Sequence, residues 1–353
     1  MEQPNATSIV RAAARRGGPR RRAATLACLA LVGPLAAMPA AAEAPFAKSI
    51  QLIIGFGPGG NYDLWARTLS RHYGRHLAGN PSVVPQYMPG AGSYIAAGHM
   101  ANVAARDGSV IASISRDSVL GPLTGASGAL FDPRTMSWLG SPTSETNVCI
   151  AYHTAAVKTA QDLFARPLIV ADSGPGTGTR SYPKVLGELL GMKFKIVGGF
   201  RSSANVFLAM ERGEVEGFCE SLDSVRNRRP DWIPSGTVAV LFQGGAAPHP
   251  DLKGVPFIPD LARTPEERQI IEFLYAGQGI GRPFVAPPQL APERLKALRD
   301  GFDATMTDPD FVAEATKSGL AVEPTSGAQL TALVAKIYAT PKSIIDRVGA
   351  MLK

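Results

Sequence analysis

Apolar runs alternate with amphipathic stretches along the whole chain. Ile50 to Gly55 is a continuous apolar run closed by glycines, the pattern of a strand buried on both faces. Tyr62 to His76 follows, with Leu64, Trp65, Leu69, Tyr73 and Leu77 at helical spacing. Val83-Val84 and Val110 to Ile114 read as strands, separated by a helical stretch from Tyr94 to Ala104. Beyond Cys149 the alternation restarts. Strands are predicted at Asn147 to Tyr152, Leu168 to Ala171, Phe194 to Val197, around Phe218, and at Thr237 to Gln243. Helices are predicted at Val185 to Leu190 and Val206 to Arg212, and roughly the last sixty residues are mostly helical, with Pro292 placed to open one helix. Strand–helix alternation of this kind predicts an α/β protein whose mainly parallel sheets are covered by helices.

One unit occurs twice. Leu52-Ile53-Ile54-Gly55-Phe56-Gly57-Pro58-Gly59-Gly60-Asn61 runs from a buried strand through Gly-Pro-Gly into a helix. Leu168-Ile169-Val170-Ala171-Asp172-Ser173-Gly174-Pro175-Gly176-Thr177 does the same. Two such crossover units in separate halves suggest two lobes facing each other.

Charge changes the picture at the N-terminus. The chain of 353 residues carries a formal +7, but residues 1–42 hold six arginines from Arg11 to Arg22 against Glu2. The remainder is close to balanced and has no basic run, which excludes a nucleic-acid footprint. The arginines precede an apolar stretch (Ala23 to Ala37), the small residues Ala40-Ala41-Ala42 and then Glu43. That order is a secretory signal peptide over residues 1–42, with cleavage after Ala42 and the mature protein in the periplasm. The apolar stretch is short and broken by Pro34, so it does not read as a membrane span. Sec and twin-arginine export both stay open. Cys149 and Cys219 are the cysteines beyond the signal; a disulfide and two buried free thiols are both compatible with their strand-like surroundings.

Glycines after a strand bare backbone N–H groups, and the following helix adds its positive end, an arrangement suited to an anion. Three loops of the first half, like the Gly-Pro-Gly loop of the second, lie at strand ends, where open α/β sheets hold ligands. They contain Gly57, Gly60 and Asn61, then Gly92 and Ser93, then Ser115 and Arg116. Asp63 reads as a cap to its helix. Arg116 reads equally as a bidentate clamp for a carboxylate or as a partner of Asp117. In the second half Phe200-Arg201-Ser202-Ser203 and Glu220-Ser221-Leu222-Asp223 stand at equivalent strand ends, with Arg201 the second candidate cation.

Ile54-Gly55-Phe56-Gly57-Pro58-Gly59-Gly60-Asn61-Tyr62-Asp63-Leu64-Trp65-Ala66-Arg67 resembles the opening motif of the receptors of tripartite tricarboxylate transporters, the Bug/TctC family. Met88 to Ser93, Ala105-Arg106-Asp107-Gly108, Gly174 to Thr179 and Ala209 to Val215 are similar to later family motifs in the same order. The resemblance implies a two-lobed Venus-flytrap protein that binds a small organic carboxylate between its lobes and delivers it to a membrane permease. The carried-over contacts are Gly57, Gly60, Asn61, Gly92 and Ser93 in lobe 1, and Thr177, Thr179, Ser203 and Ser221 in lobe 2. Lobe 1 is expected at 43–145 and 245–353, lobe 2 at 146–244, with hinges near Ser141 to Thr146 and Thr237 to Gly244. Asn61 and Arg116-Asp117 depart from the family pattern within the expected cleft.

Other classes fit less well. Gly55-x-Gly57-x-x-Gly60 matches a dinucleotide fingerprint, but Gln86-Tyr87-Met88 stands where an acidic ribose ligand belongs, and Pro58 removes an N–H. No Gly-x-Ser-x-Gly elbow occurs. His72 and His76 share a helix face with Arg71 and Arg75, which reads as a solvated basic face rather than a metal site. A protein that reports its ligand to a membrane kinase would share the same cleft. The expectation is a monomeric binding protein, not an enzyme, without cofactor, metal or nucleic-acid partner.

Overall fold

Apolar runs buried along most of their length build the central strands, and glycine-rich loops follow several of them. The computed structural model describes residues 46–353; the expected export signal and its cleavage point lie outside the described residues. In chain order come β1 (Ser49–Ile54), α1 (Asn61–His72), β2 (Ser82–Tyr87), α2 (Tyr94–Asn102), β3 (Val110–Ser113) and β4 (Ser137–Ser141). Then follow β5 (Asn147–Tyr152), α3 (Asp162–Ala165), β6 (Leu168–Ala171), α4 (Gly178–Leu190), β7 (Phe194–Val197), α5 (Ser203–Glu211), β8 (Gly217–Ser221), α6 (Leu222–Arg228) and β9 (Val238–Gly244). The chain ends with α7 (Pro265–Leu274), β10 (Phe284–Ala286), α8 (Pro292–Thr307), α9 (Pro309–Lys317), β11 (Thr325–Ser326), α10 (Gly327–Tyr338) and α11 (Lys342–Leu352).

Two sheets result. The first has the order β11-β4-β10-β3-β1-β2 and the second β7-β6-β8-β5-β9. Parallel pairing is confined to β2-β1-β3 and to β7-β6-β8, and the other pairs are antiparallel. The sheets are therefore mixed. Short β10 and β11 carry little periodicity of their own, which is why the alternation in sequence passes over them.

Both faces of the sheets are covered, as the continuous apolar strands demand. Ile50, Leu52 and Ile54 pack with Trp65, Leu69, Phe302 and Phe311 of α1, α8 and α9. Ile53 points the other way, into a cluster with α2 that continues through Val170, Tyr182 and Leu186 to Ile270, Ile271 and Val348. Phe207, Phe218 and Trp232 fill the remaining face of the second sheet. The helix predicted from Val185 starts earlier, at Gly178, with Arg180 and Ser181 N–H donating to Thr177 O, so Pro183 lies inside α4. Arg71 and Arg75 face solvent, but His72 is buried and His76 half-buried: they meet Glu314 and Asp308, each at 2.7 Å, where α1 and the turn after it pack against α9 and the residue before it.

The chain passes from the first sheet to the second between Ser141 and Asn147. It does not return at Thr237 to Gly244, since β9 pairs along its whole length with β5 in the second sheet. The next strand of the first sheet is β10, so the return lies beyond Gly244. Moreover α7 and α11 pack on α4, so residues 245–353 do not all belong with the first sheet. The apolar faces of these helices find their partner on α4, a preference that chain order does not reveal.

Cys149 and Cys219 are cross-strand partners on β5 and β8 and form a disulfide with a Cα–Cα separation of 3.9 Å. The bridge closes a loop with a sequence separation of 70 residues. The double variant Cys149→Ala/Cys219→Ala is expected to lose about 2–5 kcal/mol of stability, measured as a lower urea midpoint against the oxidised parent.

Candidate functional site

The glycine loops of the two halves meet at the strand ends. Gly57 donates its N–H to Arg201 O at 3.2 Å, and Ser115 Oγ donates to Gly176 O at 2.9 Å. Gly92 has φ +63°, and a Cβ on it would stand 2.5 Å from Gly176 N. Gly174 has φ +119°, and a Cβ there would stand 2.7 Å from Gly92 N. The Gly-Pro-Gly turn of the second half thus rests on the Gly-Ala-Gly turn of the first, backbone against backbone. Gly60 is different: its Cβ would make ordinary contacts of 3.5 Å with Ser202 and Ser203.

Several loop N–H groups are already engaged within the protein. Gly59 donates to Asp63 Oδ2 at 2.8 Å and Gly174 to Asp172 Oδ1 at 2.6 Å. Ser173 donates to Thr179 Oγ1 at 3.0 Å. The N-terminus of α4 is capped across the cleft, where Gly178 donates to Asp117 Oδ2 at 2.9 Å and Tyr182 Oη to Asp117 Oδ1 at 2.7 Å. The N-terminus of α4 thus spends one of its donors on the protein's own carboxylate.

What they enclose is a cavity of about 40 Å³, lined by Phe56, Gly60, Asn61 and Tyr62 with Ser115, Arg116 and Asp117. Ser173, Thr177, Gly178, Thr179, Ser202, Ser203, Glu220 and Ser224 close it from the second half, and Arg282 completes the wall. Arg116 is buried, and its ion pairs are long: 3.9 Å to Asp117, 3.8 Å to Glu145 and 3.8 Å to Glu220. Its Nε has no hydrogen-bond partner, and neither has the buried Nδ2 of Asn61. Arg282 is better served. It pairs with Glu145, donates to Ser221 Oγ at 2.6 Å and to Ser224 Oγ at 3.3 Å, and stacks 4.3 Å over the Tyr62 ring. Burial opposes the charge of both guanidiniums, but the surrounding anionic groups outweigh it and hold both above the usual arginine range.

Of the residues singled out in sequence, Gly60, Asn61, Ser115, Arg116, Thr177, Thr179 and Ser203 share this cavity. Gly92, Ser93 and Arg201 line an adjoining groove instead. Ser93 Oγ accepts Ser115 N–H at 3.1 Å, a support to the loop, and Gly57 is spent on the contact with Arg201. Ser221 caps α6 and receives Arg282. Arg201 is exposed, so the second cation of the cavity is Arg282. Its signal in sequence is slight: a single arginine between Gly281 and Pro283, just before a short apolar run. Glu145 was equally hidden, in the segment that joins the sheets. Among the described residues no group of three or more His, Cys, Asp or Glu could hold a metal ion, and no helix is long and apolar enough to cross a membrane.

No family model matches the sequence, and no curated protein matches it. Solved structures do. The periplasmic binding protein BugD superposes with a TM-score of 0.68 at 19% identity, covering 85% of this chain and 97% of that one. MatC from Rhodopseudomonas palustris with bound malate gives 0.66 at 17%, covering 86% and 99%. The chain shares the two-lobed fold of these proteins. A further protein of that fold, from R. palustris with adipate, gives 0.63 at 18% identity, covering 86% and 97%. The Bug-type fold of this chain places its cavity between the two sheets, at the strand ends where the loops meet.

Two tests follow from this geometry. Gly92→Ala puts a methyl group into the backbone of Gly176 and is expected to prop the loops apart. Affinity for any ligand held between them should fall at least about tenfold, with the melting temperature of the free protein changed by only a few degrees. The second concerns Asp223, whose carboxyl is pushed up to about 7 by burial and then by the charge of Glu145. A carboxyl raised in the folded state loses stability as pH climbs from about 4 through 7, because the unfolded chain gives up that proton earlier. Asp223→Asn should flatten this decline, raising the melting temperature at pH 8 and leaving it unchanged below pH 4, by differential scanning calorimetry.

Proposed function

We propose that this chain is a periplasmic solute-binding protein that captures a small organic carboxylate between its two lobes and delivers it to a tripartite tricarboxylate-type membrane permease. The observation that carries the reading is Arg116: a buried guanidinium on the cavity wall whose nearest carboxylates stand 3.8 Å or more away. Its Nε has no partner, and the Asn61 Nδ2 beside the same cavity has none. Buried donors without acceptors are costly, and a ligand carboxylate between them would satisfy both. The Bug-type neighbours support the class: they are periplasmic binding proteins rather than enzymes, and two of them hold malate and adipate. The family-like loops of the sequence support the permease, and the basic–apolar–small order of residues 1–42 supports export.

The site is proposed to comprise Gly60, Asn61, Ser115, Arg116, Thr177, Thr179 and Ser203, with Arg282 added. Gly57, Gly92, Ser93, Arg201 and Ser221 shape the loops around it. The ligand docks on one lobe, and the other closes over it by bending at the sheet-to-sheet crossings. Closure drains the cleft of bulk water, which strengthens each charge-assisted bond.

A thermal-shift screen of mono-, di- and tricarboxylates, amino acids included, against the purified protein is expected to raise the melting temperature for one class and leave it unchanged for solutes without a carboxylate. Arg116→Gln should weaken that ligand at least about a hundredfold, the worth of two charge-assisted bonds, by isothermal titration calorimetry. A screen in which no carboxylate shifts the melting temperature, or a variant that binds like the parent, would overturn the reading.

A further inference from the structure

The charges around the cavity say more about the ligand than that it carries a carboxylate. Resting on the reading above, we infer that the cleft is built for a small zwitterion, one carboxylate and one ammonium group, and selects against dianions.

Three observations lead there. First, the anion place at the α4 N-terminus is filled by the protein itself. Asp117 receives Gly178 N–H and Tyr182 Oη–H at 2.9 and 2.7 Å, so a second ligand carboxylate finds that site occupied and its approach opposed by like charge. Second, three carboxylates (Asp117, Glu145 and Glu220) crowd two guanidiniums, and all five groups are buried or nearly so. A ligand that brings only negative charge deepens an existing excess. Third, the unsatisfied groups differ across the cavity. On one side Arg116 and Asn61 offer donors without acceptors. On the other, Glu220 lines the cavity with Oε1 engaged by Ser221 N–H at 2.8 Å and facing Arg116 and Arg282 at 3.8 Å each. Glu145, paired with the same two arginines, keeps a buried Oε2 without a hydrogen-bond partner.

A carboxylate seated at Arg116 and Asn61 with an ammonium turned to Glu220 satisfies both sides and adds no net charge. The same ligand without its ammonium would leave Glu220 beside an added negative charge, with nothing to offset it. The cavity of about 40 Å³ restricts the choice to compact molecules in the closed form. Glu220 is thus assigned as the residue that sets ligand class, with Asp117 as the group that denies the second anion site.

The test uses matched pairs in isothermal titration calorimetry on the purified protein: glycine with acetate, alanine with propionate, aspartate with succinate. The amino member of any pair that binds is expected to bind at least tenfold more tightly than its partner. Glu220→Gln, shown to be folded by its circular dichroism melt, should bring that ratio towards one by weakening the amino member. Equal or tighter binding of the plain acid in the unmodified protein overturns this inference and leaves the carboxylate-receptor reading standing. So does the failure of all three pairs when another carboxylate in the screen binds. Only a screen in which no carboxylate binds at all removes the receptor reading itself. The comparison within the unmodified protein stands even where Glu220→Gln fails to fold.

Discussion

Four charged side chains from four places in the chain meet where the two sheets face each other, and the rest of the cleft is arranged around them. Arg116 follows β3 of the first sheet, and Glu145 lies on the passage to the second. Glu220 stands near the end of β8, and Arg282 directly precedes β10 on the way back. Unit charges about 4 Å apart interact by about 4 kcal/mol at an effective dielectric near 20, and stranding one partner of a buried pair costs about 3–5 kcal/mol. None of these groups can be moved alone. The cluster therefore ties the segments that join the sheets, and it does so on the wall of the cavity between them.

Around that cluster the contacts between lobes are of two kinds. Gly92 against Gly174 and Gly176 is a contact of bare backbone, so shape decides it and a single Cβ would forbid it. Asp117 with Gly178 and Tyr182 is a polar contact in which the protein supplies its own anion to a helix N-terminus. Tyr182 carries this contact onward: its ring stacks on Tyr275 at 4.1 Å, and burial, with Asp117 beside it, keeps its hydroxyl protonated. A change at Asp117 is thereby passed to the packing of α4 and α7 without any long pathway.

The same arrangement explains how a fold shared with carboxylate binders takes on its own selectivity. The loops provide position, and several of their N–H groups are spent within the protein. In the proposed reading, selectivity then passes to side chains, above all Arg116 and Glu220. The glycines that look like an anion cradle in sequence are used instead to bring the lobes together.

Local pattern determined a good deal. The strands over Ile50–Gly55, Asn147–Tyr152 and Leu168–Ala171 were legible because a strand buried on both faces must be largely apolar. The repeated Gly-Pro-Gly unit announced two halves, and Arg116 stood out as a cation at a strand end. Tertiary structure alone decided the rest. Arg282 and Glu145 are separated by 137 residues, and only folding brings them to one cavity. The pairing of Cys149 with Cys219 depended on the register of β5 against β8, and the placing of α7 and α11 on α4 depended on which apolar face was left open. Whether a loop N–H faces a ligand or a neighbour is settled by partners distant in the chain, so the sequence showed where the jaws lie but not what they hold between them.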